Sequence, residues 1–297
     1  MPATSLHCLT RAEIAAWLAE HDEPSYRCDQ ILDWLWQKRA RSIDAMSNLP
    51  AALRGSLAGD FRLGGLRHAK TQGAADSTRK FLFQLHDGRY VECVLIPASP
   101  ALYGEQSDRR TLCVSSQVGC AYGCKFCASG LDGFTRNLDP GEIVGQILLA
   151  EELSGEKVNN LVFMGMGEPL ANLPNLLKAI EIITSPWGLH IGARHLTLST
   201  SGLVPQIRQL AGHPRQIRLA ISLHGATDEV RNRIMPVNRK WGVDELFDAL
   251  RFWNSCKKQI LTLEYILIAG INDHLDEARL LARRARSIRA KVNLIPY

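Results

Sequence analysis

From Thr111 onward the chain alternates short β-type runs with amphipathic stretches, and this alternation limits the fold more than any other feature. The β-type runs fall at 111–115, 160–164, 195–199, 217–222, 261–268 and 291–296. Helical patterns lie between them, at 140–153, 173–184, 204–210, 243–256 and 276–288. A repeat of this kind builds parallel strands with the crossover helices packed outside them. It predicts an α/β fold, a partial (β/α)6 barrel left open rather than closed at eight strands. In such folds the working residues gather at the carboxyl ends of the strands.

The residues before 111 pattern differently. Thr10 and Glu13 are spaced as a capping box that opens a helix over 13–20. A second helical pattern covers 27–40, with Ile31, Leu32, Leu35 and Trp36 on one face, and a third over 47–57 is interrupted at Pro50. Together they predict a small helical N-terminal domain over 1–65. Residues 68–80 read as a polar loop, 81–85 and 90–96 as a β-hairpin joined through 86–89, and 98–110 as another loop. The hairpin and its linkers therefore take 66–110, and the barrel takes 111–297, ending at its sixth strand.

With 46% hydrophobic and 22% charged residues, the chain has ordinary globular composition and can bury a large core plus a small one. No apolar run approaches a bilayer span, and Met-Pro-Ala-Thr-Ser is not a basic-then-apolar leader. A cytoplasmic protein without a membrane partner is expected. The net charge of +5 suits a polyanionic partner without demanding one. Arg27, Lys38, Arg39, Arg41 and Arg54, near Trp34 and Trp36, could meet phosphates. Their plainer reading is a solvated face over a tryptophan-filled core, and the basic stretch 279–291 likewise reads as a solvated outer face.

Cys120, Cys124 and Cys127 carry the chemistry. They sit in Cys-Ala-Tyr-Gly-Cys-Lys-Phe-Cys, a glycine-containing loop with no helical period. Three thiolates at this spacing can wrap one face of a cubane iron–sulfur cluster, which normally takes four cysteines. One iron is then left open for a substrate. A structural zinc site would need a fourth ligand at compact spacing, and Cys8, Cys28, Cys93, Cys113 and Cys256 are scattered singly. Disulfides do not suit a chain expected in a reducing compartment.

The flanking motifs occur in a fixed order: Leu112-Cys-Val-Ser-Ser-Gln-Val-Gly-Cys120, Gly165-Met-Gly-Glu-Pro169, Leu198-Ser-Thr-Ser-Gly202 and Ser222-Leu-His224. From about Tyr26 to Tyr297 the chain thereby resembles the RlmN-type radical S-adenosylmethionine (SAM) enzymes. These are ribosomal-RNA adenine C2 methyltransferases, whose relative Cfr modifies C8. The resemblance implies a [4Fe–4S] cluster on Cys120, Cys124 and Cys127. It implies SAM contacts at Gly167, Glu168, Ser199, Ser222, Leu223, His224 and Asn293. It further implies 23S rRNA and tRNA as substrates, a reducing donor such as flavodoxin, a monomer, and an N-terminal domain that helps grip RNA.

The implied reaction first methylates a cysteine near the C-terminus, and a radical on that methyl group adds to adenine C2. Glu92 matches the base that removes the C2 proton. Cys113 matches the cysteine that resolves the adduct as a disulfide forms. Each of these residues also has a plain reading. Gly165 and Gly167 would let backbone approach a charged amino acid, with Glu168 against its ammonium, or would simply make a tight turn with a capping acid. Ser199, Ser222 and His224 are strand-end caps, Cys113 is a buried strand cysteine, and Glu92 is a carboxylate on a water-facing edge strand.

One departure stands out. The sequence closes on Asn293-Leu-Ile-Pro-Tyr297, where the family continues into a segment with the methyl-carrying cysteine, and none of Cys8, Cys28, Cys93 or Cys256 matches it. The expectation is a partial sequence or truncated product, with defective methyl transfer by the chain as written. Two other readings stay open: a radical SAM enzyme with another substrate, and a non-catalytic RNA-binding remnant.

Overall fold

The computed structural model describes residues 4–74, 77–98 and 107–297. They divide into two compact units. The first comprises Met1–Val114, Leu138–Leu161 and Pro174–Gly192. The division cuts across the segments 1–65, 66–110 and 111–297, because residues 138–161 and 174–192 pack with the N-terminal part.

In this unit β1 (Thr4–Ser5) pairs in parallel with β2 (Phe61–Arg62) around three helices, α1 (Arg11–Glu20), α2 (Arg27–Leu32) and α3 (Ala51–Asp60). The capping box opens α1 as expected: Glu13 N donates to Thr10 Oγ1 at 3.3 Å and Thr10 N to a Glu13 carboxylate oxygen at 2.8 Å. A π-helical turn, Asp33–Gln37, continues α2 and places Leu35 and Trp36 in the core. Pro50 does not interrupt the third helix but caps its start, where a residue without an N–H costs nothing.

The same unit holds the antiparallel run β3 (Arg67–Gln72), β4 (Arg79–Gln84), β5 (Tyr90–Pro97) and β6 (Arg110–Cys113). β4 and β5 form the expected hairpin, with Gln84 opposite Tyr90. β3 replaces part of the loop read over 68–80. All six of its residues are exposed, so no apolar alternation reveals it. Of the loop read over 98–110, residues 99–106 lie outside the described residues.

The basic N-terminal residues are engaged within the unit. Arg39 pairs with Glu151 and Arg41 with Glu152. Lys38 meets Asp33 at 2.8 Å and stands over the Trp34 ring. Arg54 donates to Leu49 O at 2.6 Å, and Arg27 bonds Gln30 at 2.7 Å and Asn48 O at 3.2 Å. A cavity of about 730 Å³ opens beside them, with His7, Arg39, Arg62, His86 and Glu142 in its wall.

The second unit comprises Ser115–Asn137, Val162–Leu173 and Ala193–Tyr297. It begins with a two-stranded antiparallel ribbon, β7 (Gln117–Gly119) and β8 (Phe134–Asn137). The helices α4 (Pro140–Ser154) and, from Pro174, α5 (Leu173–Thr184) belong to the first unit, and β9 (Asn160–Phe163) is shared between the two divisions of the chain. Then follow β10 (Leu196–Thr200), α6 (Val204–Ala211), β11 (Arg218–Ser222), α7 (Asp228–Ile234), α8 (Val243–Cys256), β12 (Thr262–Leu267), α9 (Leu275–Ser287) and β13 (Lys291–Pro296).

The strands β10, β11, β12 and β13 lie side by side in that order, all parallel. Leu198, Leu219, Ile221 and Leu263 are buried along them, and Phe247, Leu250 and Trp253 of α8 are buried too. Near-continuous apolar runs of this kind mark strands covered on both faces.

Candidate active site

The three cysteines lie on a loop whose base is closed. Gln117 pairs with Asn137 and Val118 with Arg136 in the ribbon, and Cys120 N donates to Gly133 O at 3.0 Å. Gly119, at φ +72°, permits this closure: a Cβ there would fall 1.9 Å from Gly133 O. The loop is thus anchored at both ends, not the free flexible segment that its glycines suggest. Lys125 N donates to Ile234 O at 2.9 Å, which seats the loop on the end of α7.

All three thiols are half-buried. Burial pushes the Cys124 thiol up to about 12, with Cys120 and Cys127 adding to the rise. Burial pushes the Cys120 thiol up as well. Among the described residues no group of three Cys, His, Asp or Glu side chains closes on one point tightly enough for a single ion. A cubane asks for something wider, since each cysteine reaches a different iron. The donor set fits such a cluster.

Beside the loop stand the carboxyl ends of the parallel strands. The register pairs Ser222 with Glu264 and Glu264 with Asn293, and Ser199 with Ala220, so Ser199, Ser222, Glu264 and Asn293 share one face. Ser199 Oγ and Ser222 Oγ are 3.4 Å apart, and Asn293 Nδ2 donates to Glu264 Oε2 at 2.6 Å. That bond directs the Asn293 amide and leaves its carbonyl oxygen to accept. Burial raises the Glu264 carboxyl while Asn293 draws it back down.

Leu223 and His224 follow directly, and both backbone N–H groups donate to Glu264 O. His224 adopts φ +54°, a left-handed conformation uncommon outside glycine and asparagine. Its Nδ1 accepts from Ile266 N at 3.0 Å. The ring is therefore neutral with its proton on Nε2, and burial with nearby Arg231 lowers its pKa to about 3. The ring meets Phe126, between Cys124 and Cys127, edge-on at 4.7 Å. His224 is thus a fixed donor beside the cysteine loop.

Gly167 needs its missing side chain for a different reason from the one read in the sequence. At φ +96°, a Cβ would fall 2.4 Å from Gln117 Cβ, so the residue admits the ribbon rather than merely a ligand. Glu168 is buried, and its own N–H donates to Gln117 Oε1 at 2.8 Å. One carboxylate oxygen accepts from Leu170 N at 3.0 Å and the other from Ser201 N at 2.7 Å. Burial raises its pKa against the pull of those amides. The Ser201 and Thr200 hydroxyls also lower it, so the carboxyl is held from several sides.

Glu92 and Cys113 belong to the first unit. Val94 is directly opposite Cys113, so Cys113 shares the half-exposed face of the sheet with Glu92, while Cys93 turns to the buried face. Glu92 is not on an edge strand, because β5 is paired on both sides. Its carboxylate meets Lys80 Nζ at 2.9 Å. Cys113 is half-buried rather than a core residue. Cys8, Cys28 and Cys93 are buried, and burial pushes each thiol up, Cys8 to about 12.

Four supporting residues went unread in the sequence: Gln117, Glu264, Asn272 and Arg231. Asn272 Nδ2 donates to His224 O at 2.8 Å and to Ile266 O at 2.6 Å, locking the bend at His224. The polar Glu264 inside the run Leu-Thr-Leu-Glu-Tyr-Ile-Leu was the one available signal.

Comparison with known proteins reaches the same region. The sequence model of the Radical SAM superfamily matches residues 114–282, and that of the ribosomal RNA large subunit methyltransferase N-terminal domain matches residues 4–62. A probable dual-specificity RNA methyltransferase RlmN of Akkermansia muciniphila is 57% identical over 296 residues, covering 100% of this chain and 82% of that protein. The chain belongs to the RlmN family. The dual-specificity RNA methyltransferase RlmN of Desulfosudis oleivorans is 45% identical, covering 97% of this chain and 76% of that one. Among solved structures, a radical SAM methyltransferase from Sphaerobacter thermophilus superposes with a TM-score of 0.90 at 41% identity, over 98% of this chain and 84% of its own. The RlmN-family chain thus has the radical SAM α/β fold, and membership implies a [4Fe–4S] cluster and SAM. No described helix is long and apolar enough to cross a membrane.

Proposed function

We propose that this chain is a radical SAM methyltransferase that acts on adenine C2 in 23S rRNA and tRNA, with Cys120, Cys124 and Cys127 as cluster ligands. The observation that carries the reading is the strand-end row. Every residue matched to SAM, and all three cysteines, fall in one compact unit. The names of the relatives supply the RNA substrate.

When bound on Cys120, Cys124 and Cys127, the cluster would supply the electron for reductive cleavage of SAM. The chain's residues position what is cleaved. The Glu168 carboxyl, fixed by Leu170 N and Ser201 N, would receive the SAM ammonium. His224 Nε2–H donates while Ser199, Ser222 and the Asn293 carbonyl present hydroxyl and acceptor groups to the nucleoside. Glu92, paired with Lys80 Nζ at 2.9 Å, is the residue that would accept the C2 proton, and Cys113 on the same face would resolve an adduct carried by the methyl-bearing cysteine that this sequence does not match. Cys8, Cys28 and Cys93 are too deeply buried to carry the methyl group. All eight cysteines are free, which suits a reducing cytoplasm, where a flavodoxin-like reductant would serve a monomeric enzyme.

Anaerobic reconstitution followed by nucleoside mass spectrometry, with SAM, dithionite and unmodified rRNA, tests the reading. Deoxyadenosine is expected from the wild type and none from Cys124→Ala. 2-Methyladenosine in the same digest would assign methyl transfer to cysteines within these 297 residues. Its absence alongside deoxyadenosine would confine the chain to radical generation. No deoxyadenosine from an iron-loaded chain would overturn the proposal.

A further inference from the structure

Arg231 of α7 is fully buried, yet it pairs with no carboxylate among the described residues. Its Nε donates to Leu223 O at 2.9 Å, its Nη1 to Asn238 Oδ1 at 2.9 Å, and its Nη2 to Ser222 O at 3.3 Å and to Ser201 O. Every partner is neutral. Asp228 acts on Arg231 electrostatically but makes no ion pair with it: Asn238 Nδ2 stands between them and donates to Asp228 at 2.8 Å, and Asp228 is exposed to water, which screens it. Two glycines make room for the side chain and its backbone. A Cβ at Gly202 would lie 3.2 Å from Nη2, and one at Gly225 would lie 3.0 Å from Arg231 N.

A buried guanidinium without a carboxylate in direct contact is costly, and hydrogen bonds to carbonyls offset only part of that cost. Folds keep such a charge where something anionic completes it. Burial lowers the Arg231 pKa only to about 10, so the group stays charged at neutral pH. One turn further along α7, Ile234 O accepts from Lys125 N inside the cysteine loop. Arg231 also acts electrostatically on Cys124, drawing its thiol down against burial.

We propose that Arg231 is the internal countercharge of the iron–sulfur centre, completing a buried charge pair only when Cys120, Cys124 and Cys127 bind as thiolates. This rests on the reading that those cysteines hold a cluster. A [4Fe–4S]2+ core with three thiolates carries one net negative charge, and reduction adds a second. A fixed cation nearby favours the reduced state and raises the reduction potential. Arg231 is a positioning residue as well, because the carbonyls it holds flank Ser199, Ser222 and His224.

The test compares wild type, Arg231→Gln, Arg231→Lys and Asn238→Asp after anaerobic reconstitution. Asn238→Asp is isosteric and hands Arg231 a carboxylate of its own, at the expense of the bonds that Asn238 Nδ2 gives Asp228 and Asn232, and Arg231→Lys, which keeps the charge, remains informative should a neutralising variant not fold. The readouts are iron content, the midpoint potential from an EPR-monitored reductive titration, and Tm with and without the cluster. Both neutralising variants should show a more negative potential, with Arg231→Lys between them and wild type. The Tm increment on cluster loading should shrink in both, whereas a purely structural role would lower the apo and loaded Tm alike. Equal iron loading with an unmoved potential and a full increment would overturn the proposal. A wild type that takes up no iron would instead remove the cluster reading beneath it.

Discussion

His224 makes acid stability and cofactor binding separable, and Asn is the substitution that shows it. Asparagine tolerates the left-handed backbone at φ +54°, and its Oδ1 can take the hydrogen bond that Ile266 N gives to Nδ1. It neither titrates nor donates from the ε position. The unfolded chain takes up a proton at this histidine near pH 6.5, whereas the folded protein resists until about pH 3. The wild type is therefore destabilised as pH falls from 6.5 toward 3, by about 2 kcal/mol at pH 5 and about 3 kcal/mol at pH 4.

Urea unfolding of the apo-protein at pH 7.5, 6, 5 and 4 measures this directly. The stability of His224→Asn minus that of wild type should rise by those amounts as the pH drops. At pH 7.5 the variant should keep its fold while its SAM affinity falls ~3- to 10-fold, the worth of one lost hydrogen bond. A difference that stays flat from pH 7.5 to 4 would refute the reasoning, because the buried neutral imidazole would then not be what resists the proton.

Two other substitutions probe the strand-end loop. Gly167→Ala forces a methyl group to 2.4 Å from Gln117 Cβ at a left-handed φ, and should cost about 2–4 kcal/mol in unfolding free energy, read by urea midpoint. Glu168→Gln turns an amide NH2 toward either Leu170 N or Ser201 N, costing about 1–3 kcal/mol. It should also weaken SAM binding in calorimetry more than it weakens binding of S-adenosyl compounds lacking the amino group.

Much of the architecture was legible because it repeats. The alternation from 111 onward placed each parallel strand within two residues, since covered strands read as apolar runs. The capping box at Thr10 is local chemistry and needed no tertiary context. β3 was invisible because its pairing is backbone-driven and its side chains all face water. α7 was missed for a related reason: seven residues hold too few turns to display a period, and four of them are charged. The grouping of the three cysteines on one loop was legible by spacing alone. Arg231 was not, because an arginine in Asp-Glu-Val-Arg-Asn-Arg reads as a solvated helix face, and only the fold turns it inward. Gly167 was noticed for a ligand that might approach it, when the nearer constraint is a strand that does.

The ribbon of β7 and β8 determines how the metal centre can be assembled. Because Gln117–Asn137 and Cys120–Gly133 already pin both ends of the cysteine loop, the apo-chain spends little further order when its thiols are claimed. Loading is then a docking event on a prepared socket, not a folding event driven by metal. A socket of this kind keeps its shape whether filled or empty, so loss of its contents need not unmake the molecule around it.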